Sequence, residues 1–210
     1  TMGNINTTGP RSIRLDTTYP SIDFAGGAST DATNASRNWI YVNVSITEAN
    51  EQAAVFRLFN SSMGTINTTI LGAGNRSFNF TALSDGLYYY NVTVNDSVSY
   101  SNFTSTRSIR LDTVKPSVIS FSTNDSDGKV TSSQSLNFSV TVTDLGSGII
   151  AVTMNETTLV LSGTNVYWTV NSTSQFSCPA DGTCILAITA TDGASNVNNS
   201  ETLTLTTDTA

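Results

Sequence analysis

Two cysteines carry the most definite chemistry in this sequence. The chain has no histidine, and its lysines are Lys115 and Lys129, so most catalytic and metal-binding arrangements cannot be assembled. Cys178 and Cys184 enclose the residues Pro-Ala-Asp-Gly-Thr, a spacing wider than the Cys-x-x-Cys of redox proteins. We therefore predict a structural disulfide in a protein that is not an enzyme.

Aspartates are the remaining candidates for chemistry. Residues 124–128, Asn-Asp-Ser-Asp-Gly, resemble part of a calcium-binding loop, and further oxygen ligands could come from Asp112, Asp144 and Asp192. Asp-Ser-Asp-Gly is also ordinary turn chemistry, and the other ligand positions of such a loop are missing. We predict no metal and no cofactor other than N-linked glycans, with calcium as the alternative.

Asn-x-Ser/Thr sequons are frequent, in a chain that is about 30% Ser and Thr. Strand patterning explains part of the excess, because residues i and i+2 share one face of a strand. Asn34, Asn60 and Asn124 fall outside the predicted strands, so we predict dense N-glycosylation. The fifteen sites are Asn6, Asn34, Asn43, Asn60, Asn67, Asn75, Asn79, Asn91, Asn95, Asn102, Asn124, Asn137, Asn155, Asn171 and Asn198.

Charge and hydropathy limit the partners. The net charge is −7 and charged residues make up 12% of the chain, which gives no basis for binding nucleic acid or an anionic membrane surface. No apolar run approaches the roughly 20 residues that cross a bilayer, and the N-terminal residues lack the features of a secretory signal. We predict the mature form of an extracellular protein.

A repeated segment organises the chain. Residues 11–17, Arg-Ser-Ile-Arg-Leu-Asp-Thr, recur unchanged at 107–113, and residues 203–209 continue the series, so that Asp16, Asp112 and Asp208 are spaced by 96 residues. This spacing is the size of one sandwich domain. We predict an N-terminal strand at 1–18, one domain at 19–113 and a second at 114–210.

Alternating apolar and polar residues predict an all-β fold with no helix of useful length. About seven short strands in each repeat, separated by turns, are typical of an immunoglobulin-like sandwich. The predicted strands are 21–25, 39–47, 53–59, 77–83, 87–94 and 105–112 in the first repeat, and 117–122, 136–143, 149–154, 158–161, 166–170, 184–190 and 202–207 in the second.

Three short motifs accompany these repeats: Asp-Gly-Leu-Tyr at 85–88, Ala-Thr-Asp-Gly-Ala-Ser-Asn at 190–196, and the linker Asp-Thr-Val-Lys-Pro at 112–116. With them the chain resembles, over nearly its whole length, the Ig-like repeats of bacterial and archaeal cell-surface proteins. The resemblance implies the sandwich fold and a cell-surface location, and the sequon density suggests an archaeal source. It leaves the function open, because such repeats form stalks, adhesins, lattices and filaments.

One cysteine stands at a corner of the fold. Cys184 occupies in the second repeat the position that Tyr88 occupies in the first. A tyrosine at this corner hydrogen-bonds back to the preceding loop. We hypothesise that the disulfide replaces this tyrosine corner.

The first copy of the repeated segment has no domain of its own in this sequence. An isolated strand leaves its backbone groups unpaired. We therefore predict that residues 1–18 are a donor strand, with Arg11, Ile13, Arg14 and Leu15, that adds to a neighbouring subunit. Such a contact is head to tail and builds a homopolymer, which predicts a structural subunit of a cell-surface filament or lattice.

The donor needs an acceptor, and the second repeat already has a final strand at 202–207. The donor must therefore add at an edge or displace that strand, in which Thr207 replaces Leu111. As a first alternative, the chain is a stalk segment of a multi-domain adhesin and residues 1–18 end a preceding domain. As a second, Trp39, Tyr41 and Tyr89 form an aromatic platform of a surface carbohydrate-binding module.

Overall fold

The computed structural model describes residues 8–13, 15–131 and 133–208. Within these ranges the chain is almost entirely β-structure, folded into two β-sandwiches, which confirms the predicted fold class. Its strands are β1 Ser21–Phe24, β2 Thr33–Ala35, β3 Ile40–Thr47, β4 Glu51–Phe59, β5 Thr65–Gly72, β6 Ser77–Phe80, β7 Gly86–Asp96, β8 Ser101–Phe103, β9 Arg107–Leu111, β10 Ser117–Thr123, β11 Lys129–Val130, β12 Ser135–Thr143, β13 Ile149–Met154, β14 Thr157–Thr158, β15 Val160–Leu161, β16 Val166–Ser172, β17 Gly182–Asp192, β18 Val197–Asn198 and β19 Thr202–Thr207. One short 3₁₀-helix covers Thr173–Phe176.

The first domain packs a small sheet against a larger one. The small sheet has the order β1-β3-β6, and the larger has the order β2-β9-β7-β4-β5, with β8 paired to β7. Strand β9 runs antiparallel to β7, where Tyr88 is opposite Ile109 and Gly86 is opposite Leu111. Because of this pairing, the end of β9 lies beside the start of β7, and the linker to the second domain begins there.

The second domain repeats this arrangement. Its sheets have the orders β10-β12-β16-β15 and β11-β19-β17-β13-β14, with β18 paired to β17. Strand β19 lies against β17 as β9 lies against β7, with Cys184 opposite Leu205 and Gly182 opposite Thr207. The short strands β2 and β11 pair in parallel with β9 and β19, respectively.

Period-2 alternation fills each core. Along β7 the side chains of Tyr90, Val92 and Val94 are completely buried, while the residues between them are only partly buried. In β17, Leu186, Ile188 and Ala190 form the same inward face. Each fully buried Val, Leu or Ile contributes roughly 1.5–3 kcal/mol, and the two cores are separate clusters, as expected for two domains.

The structure corrects some of the predicted strands. Residues 65–72, which are in none of the predicted strands, form β5. Most of this strand is exposed, so its sequence shows no apolar face. Asn34 lies within β2 rather than outside a strand. The predicted strand at 158–161 is broken between β14 and β15.

The two domains close the same corner by different means. The Tyr88 hydroxyl donates a hydrogen bond to the Ser84 carbonyl, 2.9 Å away, across the turn that precedes β7. In the second domain Cys184, which is 1% exposed, forms a disulfide with Cys178 across the matching turn, with 5.1 Å between the two Cα atoms. A covalent bond therefore spans the turn that a hydrogen bond spans in the first domain.

Reduction of this disulfide should destabilise the second domain by about 2 kcal/mol, the loop-closure entropy of so short a loop. We expect calorimetry to show that the melting temperature of one of two transitions falls by several degrees while the other stays unchanged. A Cys178→Ala/Cys184→Ala variant is the control, because its melting should not respond to reductant. Unchanged melting of the reduced wild type would contradict the stabilising role.

Candidate functional site

Two groups of carboxylates stand at equivalent places in the two domains. The first carboxylate cluster consists of Asp16, Glu48 and Asp96, and the second of Asp112, Asp144 and Asp192. Within each cluster one carboxylate oxygen from every member lies within 4.8 Å of those from the other two. The corresponding members are 96 residues apart, so the repeat that builds the domains also builds the clusters.

Three separate segments bring the second cluster together. Asp112 directly follows β9 and is the last buried residue of the first domain. Asp144 directly follows β12 and Asp192 is the final residue of β17, so both lie at the end of the second domain that receives the linker. A side chain of the first domain thereby meets two loops of the second.

Backbone amides hold the carboxylates that end β7 and β17. Asp96 Oδ1 accepts hydrogen bonds from the amides of Val98 and Tyr100, at 2.9 and 2.8 Å. The equivalent amides in the second domain lie 2.8 Å from Asp192 Oδ1. Four hydrogen bonds to fixed amides therefore give these two aspartates the same orientation.

Each cluster also contains a buried carboxylate oxygen that accepts no hydrogen bond from the described residues. In the first cluster it is Oδ2 of Asp96, whose side chain is completely buried. In the second it is Oδ1 of Asp144, whose Oδ2 accepts from the amides of Gly146 and Gly148. Asp192 differs, since its Oδ2 accepts from the Asn196 side chain at 2.8 Å.

Five of the six carboxylates in these clusters form no salt bridge with another described residue. The salt bridge of the described residues joins Arg76 to Glu51, which belongs to neither cluster. The cluster members that form no salt bridge within the described ranges are Glu48, Asp96, Asp112, Asp144 and Asp192. Like charges at this separation repel one another, so an added cation would be attracted to both places.

The carboxylate of Asp112 lies directly against the backbone of Gly146. A Cβ atom at position 146 would lie 2.2 Å from Asp112 Oδ2, and the amide of Ser147 donates to the same oxygen at 2.6 Å. In the first domain Asn50 occupies the corresponding position, and its Nδ2 donates to Asp16 Oδ2. Both loops thus fit closely around the linker aspartate.

Two asparagines fasten the linker prolines. Asn102 Nδ2 donates to the Pro20 carbonyl at 3.0 Å, and Asn198 Nδ2 donates to the Pro116 carbonyl at 2.9 Å, again 96 residues apart. Asn196 adds a hydrogen bond from Nδ2 to the Asp112 carbonyl at 2.9 Å. The Asp-Thr-x-x-Pro linkers are therefore fixed at both their aspartate and their proline.

The calcium-loop motif of residues 124–128 forms an ordinary turn. Asp125 Oδ2 accepts from the amide of Gly128 at 2.5 Å, and Asp127 Oδ1 accepts from the amide of Lys129 at 2.9 Å. Neither aspartate belongs to a carboxylate cluster of the described residues. The other aspartates named from the sequence as possible oxygen ligands are the three members of the second cluster.

The predicted donor residues lie on the surface. Ile13 is 90% exposed and Leu15 is 87% exposed, whereas their copies Ile109 and Leu111 are 1% and 0% exposed. Arg11 is exposed, and neither 8–13 nor 15–20 forms a strand. Arg14 lies outside the described residues.

The sequons differ in accessibility. The exposed ones are Asn34, Asn60, Asn67, Asn75, Asn79, Asn102, Asn124 and Asn137, and the half-buried ones are Asn43, Asn91, Asn95, Asn155, Asn171 and Asn198. Asn6 lies outside the described residues. The side chain of Asn155 bridges separate segments: its Oδ1 accepts from the Ala187 amide at 2.8 Å, and its Nδ2 donates to the Phe176 and Ile185 carbonyls at 3.4 and 3.5 Å.

The aromatic side chains named as a platform are partly exposed. Trp39 is 37% exposed, and the Arg37 guanidinium lies 4.0 Å from the centroid of its ring. Arg37 therefore already occupies one face of this indole. Tyr41 and Tyr89 are half-buried.

No protein-family model and no curated protein sequence matches this chain. Among solved structures, it is similar to the fibronectin(III)-like modules of CbhA from Clostridium thermocellum, with 10% identity, coverage of 90% of this chain and 94% of that one, and a TM-score of 0.47. It is also similar to a chimeric titin Z1Z2 tandem, with 11% identity, coverage of 90% and 99%, and a TM-score of 0.31.

A third similar structure is dimeric latent PorU from Porphyromonas gingivalis, with 13% identity and a TM-score of 0.31. The match covers 93% of this chain and 25% of PorU. Similarities this low carry no argument about what the chain does. In the part of the chain that the structure describes, no helix is long and apolar enough to cross a membrane.

A methyl group at position 146 should disturb the junction. Gly146→Ala forces the buried Asp112 carboxylate away from the loop, and we expect a loss of about 1–3 kcal/mol of stability, measured by thermal or denaturant unfolding. Gly26→Ala is the matched control, because a Cβ there meets no atom within 4 Å. Equal stability of the two variants would contradict the tight fit.

Proposed function

We propose that this chain is a non-enzymatic structural subunit of an extracellular, N-glycosylated filament or lattice, assembled head to tail through residues 1–18. The observation that carries the proposal is the contrast between identical segments. Ile109 and Leu111 are buried in the first core, while Ile13 and Leu15 expose most of their surface. Burying the second pair in a neighbouring subunit would contribute roughly 1.5–3 kcal/mol for each side chain.

The acceptor for the donor is the place beside β17. Strand β19 fills it in the isolated chain, with Leu205 and Thr207 each 2% exposed. The donor must displace β19 there, and Leu15 then takes the place of Thr207. The resident hydroxyl is satisfied, since Thr207 Oγ1 lies 2.8 Å from the Pro179 carbonyl, so the exchange gains apolar burial and loses this hydrogen bond.

Such an exchange would make the contact between subunits resemble the contact within one chain. The donor segment leads directly into Asp16 and Pro20, as β9 leads into Asp112 and Pro116. The linker of residues 16–20 is held by Asn50 and Asn102 on the first domain. A polymer built in this way is a continuous row of domains joined by equivalent linkers.

A stalk segment of a longer surface adhesin is the second candidate. The fixed linker at residues 16–20 favours it, because the chain enters the first domain in the same way as it enters the second. In this case residues 1–18 complete a preceding domain. Both candidates place the protein outside the cell, which the disulfide supports.

Polymerisation separates the two candidates. Ile13→Ser/Leu15→Ser removes the proposed anchors and leaves Asp16 in place. We expect the wild type to form polymers in light scattering and electron microscopy, and this variant to remain monomeric. The control is Ile119→Ser/Ile150→Ser, an equally apolar pair that is 62% and 66% exposed on the second domain and should still polymerise.

Two outcomes would overturn the filament proposal. If the wild type stays monomeric, the stalk segment is the better function. If Ile13→Ser/Leu15→Ser still polymerises, the donor strand is not the contact. The measurement requires glycosylated protein, since a missing glycan coat would itself promote association.

We expect glycans on sequons whose asparagine side chain is exposed, and none where that side chain is held by hydrogen bonds. We expect mass spectrometry of glycopeptides to find glycans on the exposed Asn60, Asn67 and Asn79 and none on Asn155, whose Nδ2 faces two carbonyls. Asn155→Gln should cost about 1–3 kcal/mol by leaving the Ala187 amide unpaired, while Asn67→Gln should change stability by less than about 0.5 kcal/mol. A glycan on Asn155, or equal effects of the two substitutions, would contradict this expectation.

A further inference from the structure

We propose that each carboxylate cluster binds one calcium ion, which fixes the linker to the domain that follows it. The inference goes beyond the proposed function and holds for either candidate, because both clusters lie within one chain. Three carboxylates that meet within 4.8 Å supply the charge and the oxygen atoms of such a site. The buried oxygens without a donor supply the second, independent observation.

The unpaired oxygen of Asp96 points to a ligand. Its side chain is 0% exposed, its Oδ1 is used by two amides, and its Oδ2 receives no donor from the described residues. A buried charged oxygen without a partner is costly, and native proteins rarely keep one. In the second cluster, Oδ1 of the half-buried Asp144 is likewise a buried atom that receives no donor from the described residues. A cation between the carboxylates resolves both.

The type of ligand atom determines which metal ion fits these clusters. The clusters offer oxygen atoms alone, the sequence has no histidine, and both cysteines are in a disulfide. Oxygen ligands suit calcium and magnesium rather than zinc or copper. Calcium accepts six to eight oxygens at about 2.3–2.6 Å in irregular geometry, whereas magnesium demands a near-ideal octahedron and retains its waters. Carboxylates from three separate segments fit the first description.

The carboxylates occur at the same positions in both domains, although residues next to them differ. Next to the pair Glu48 and Asp144 the sequence differs, with Ala49 where the second domain has Leu145. Tyr100 corresponds to Asn196, which donates to Asp192 Oδ2 and to the Asp112 carbonyl.

Calcium binding would act at the junction between the two domains. Asp112 belongs to the first domain, while Asp144 and Asp192 belong to the second, so one ion would crosslink two domains that a short linker joins. The first cluster would fix the segment before β1 in the same way, through Asp16. Calcium would therefore stiffen the row of domains by restricting the angle at each linker.

Calcium binding is measured on the Ile13→Ser/Leu15→Ser protein, which lacks the proposed assembly anchors and keeps the carboxylates of both clusters. After removal of metals with a chelator, equilibrium dialysis with radioactive calcium should give two ions per chain. We expect Kd values on the order of 10⁻⁴–10⁻³ M, as in extracellular calcium modules. Saturating calcium should raise the melting temperature by about 5 °C or more.

Conservative variants separate the two sites. Glu48→Gln should leave one ion per chain and abolish the calcium response of the first domain's melting transition, and Asp144→Asn should do the same for the second domain. Both side chains are only half-buried, so these variants should fold, which calorimetry without calcium checks. Asp127→Asn is the control in the turn of residues 124–128 and should still bind two ions.

Three results would overturn the proposal. Absence of calcium binding by the folded parent protein rejects the sites. Retention of two ions by Glu48→Gln or Asp144→Asn places the ions elsewhere. Magnesium binding as tight as calcium binding rejects the assignment to calcium.

Discussion

The antiparallel pairing of each domain's final strand with the long strand before it is the contact on which the junction depends. Leu111 is completely buried in β9 opposite Gly86, which places the next residue, Asp112, at the end of the sandwich where β7 begins. The linker is too short to move away, and Asn198 holds its proline. The carboxylate is thereby carried into the loops that follow β12 and β17. The burial of Leu111 thus helps to place the Asp112 carboxylate beside those of Asp144 and Asp192.

Polar groups, rather than apolar contacts, specify how one domain follows the next. The hydrogen bonds at the linker use Asn102, Asn196 and Asn198, and the Ser36 hydroxyl also donates to Asn196 Oδ1. Hydrogen bonds are directional and each contributes only about 0.5–1.5 kcal/mol net. They can therefore set a preferred orientation without making the junction rigid. A shared cation would add a constraint that hydrogen bonds of this strength cannot supply.

The sequence predicted those elements whose burial shows as alternation. Strands β7 and β17 carry a strict period-2 pattern, and the predicted strand at 202–207 coincides with β19. Strand β5 was not predicted, because an exposed edge strand lacks the alternating apolar residues by which a strand is recognised in a sequence. Its pairing with β4 supplies the backbone contacts that make it a strand.

The candidate site was harder to predict, for a physical reason. Asp16 and Asp112 stand out in the repeated segment, but Glu48 and Asp144 differ in type and lie in loops of different sequence. An aspartate as buried as Asp96 contradicts the ordinary expectation that charged residues are exposed. The interval of 96 residues, applied to every acidic position, gives six pairs, and the three pairs of the clusters are among them. Their convergence in space required the fold.

The same seven residues occupy two environments in one chain, which separates what the segment encodes from what its surroundings impose. As 107–111 it forms β9 with Ile109 and Leu111 in the core, while the side chains of Ile13 and Leu15 in the first copy are on the surface. Among the described residues, the segment is therefore a strand only where a partner strand pairs with it. Any acceptor has to offer a pairing edge and two apolar pockets at the spacing of Ile13 and Leu15. In the proposed assembly the donor would take the place of β19 beside β17, where Leu15 would replace Thr207. The exchange would then depend on whether one buried leucine outweighs the hydrogen bond of Thr207 to the Pro179 carbonyl.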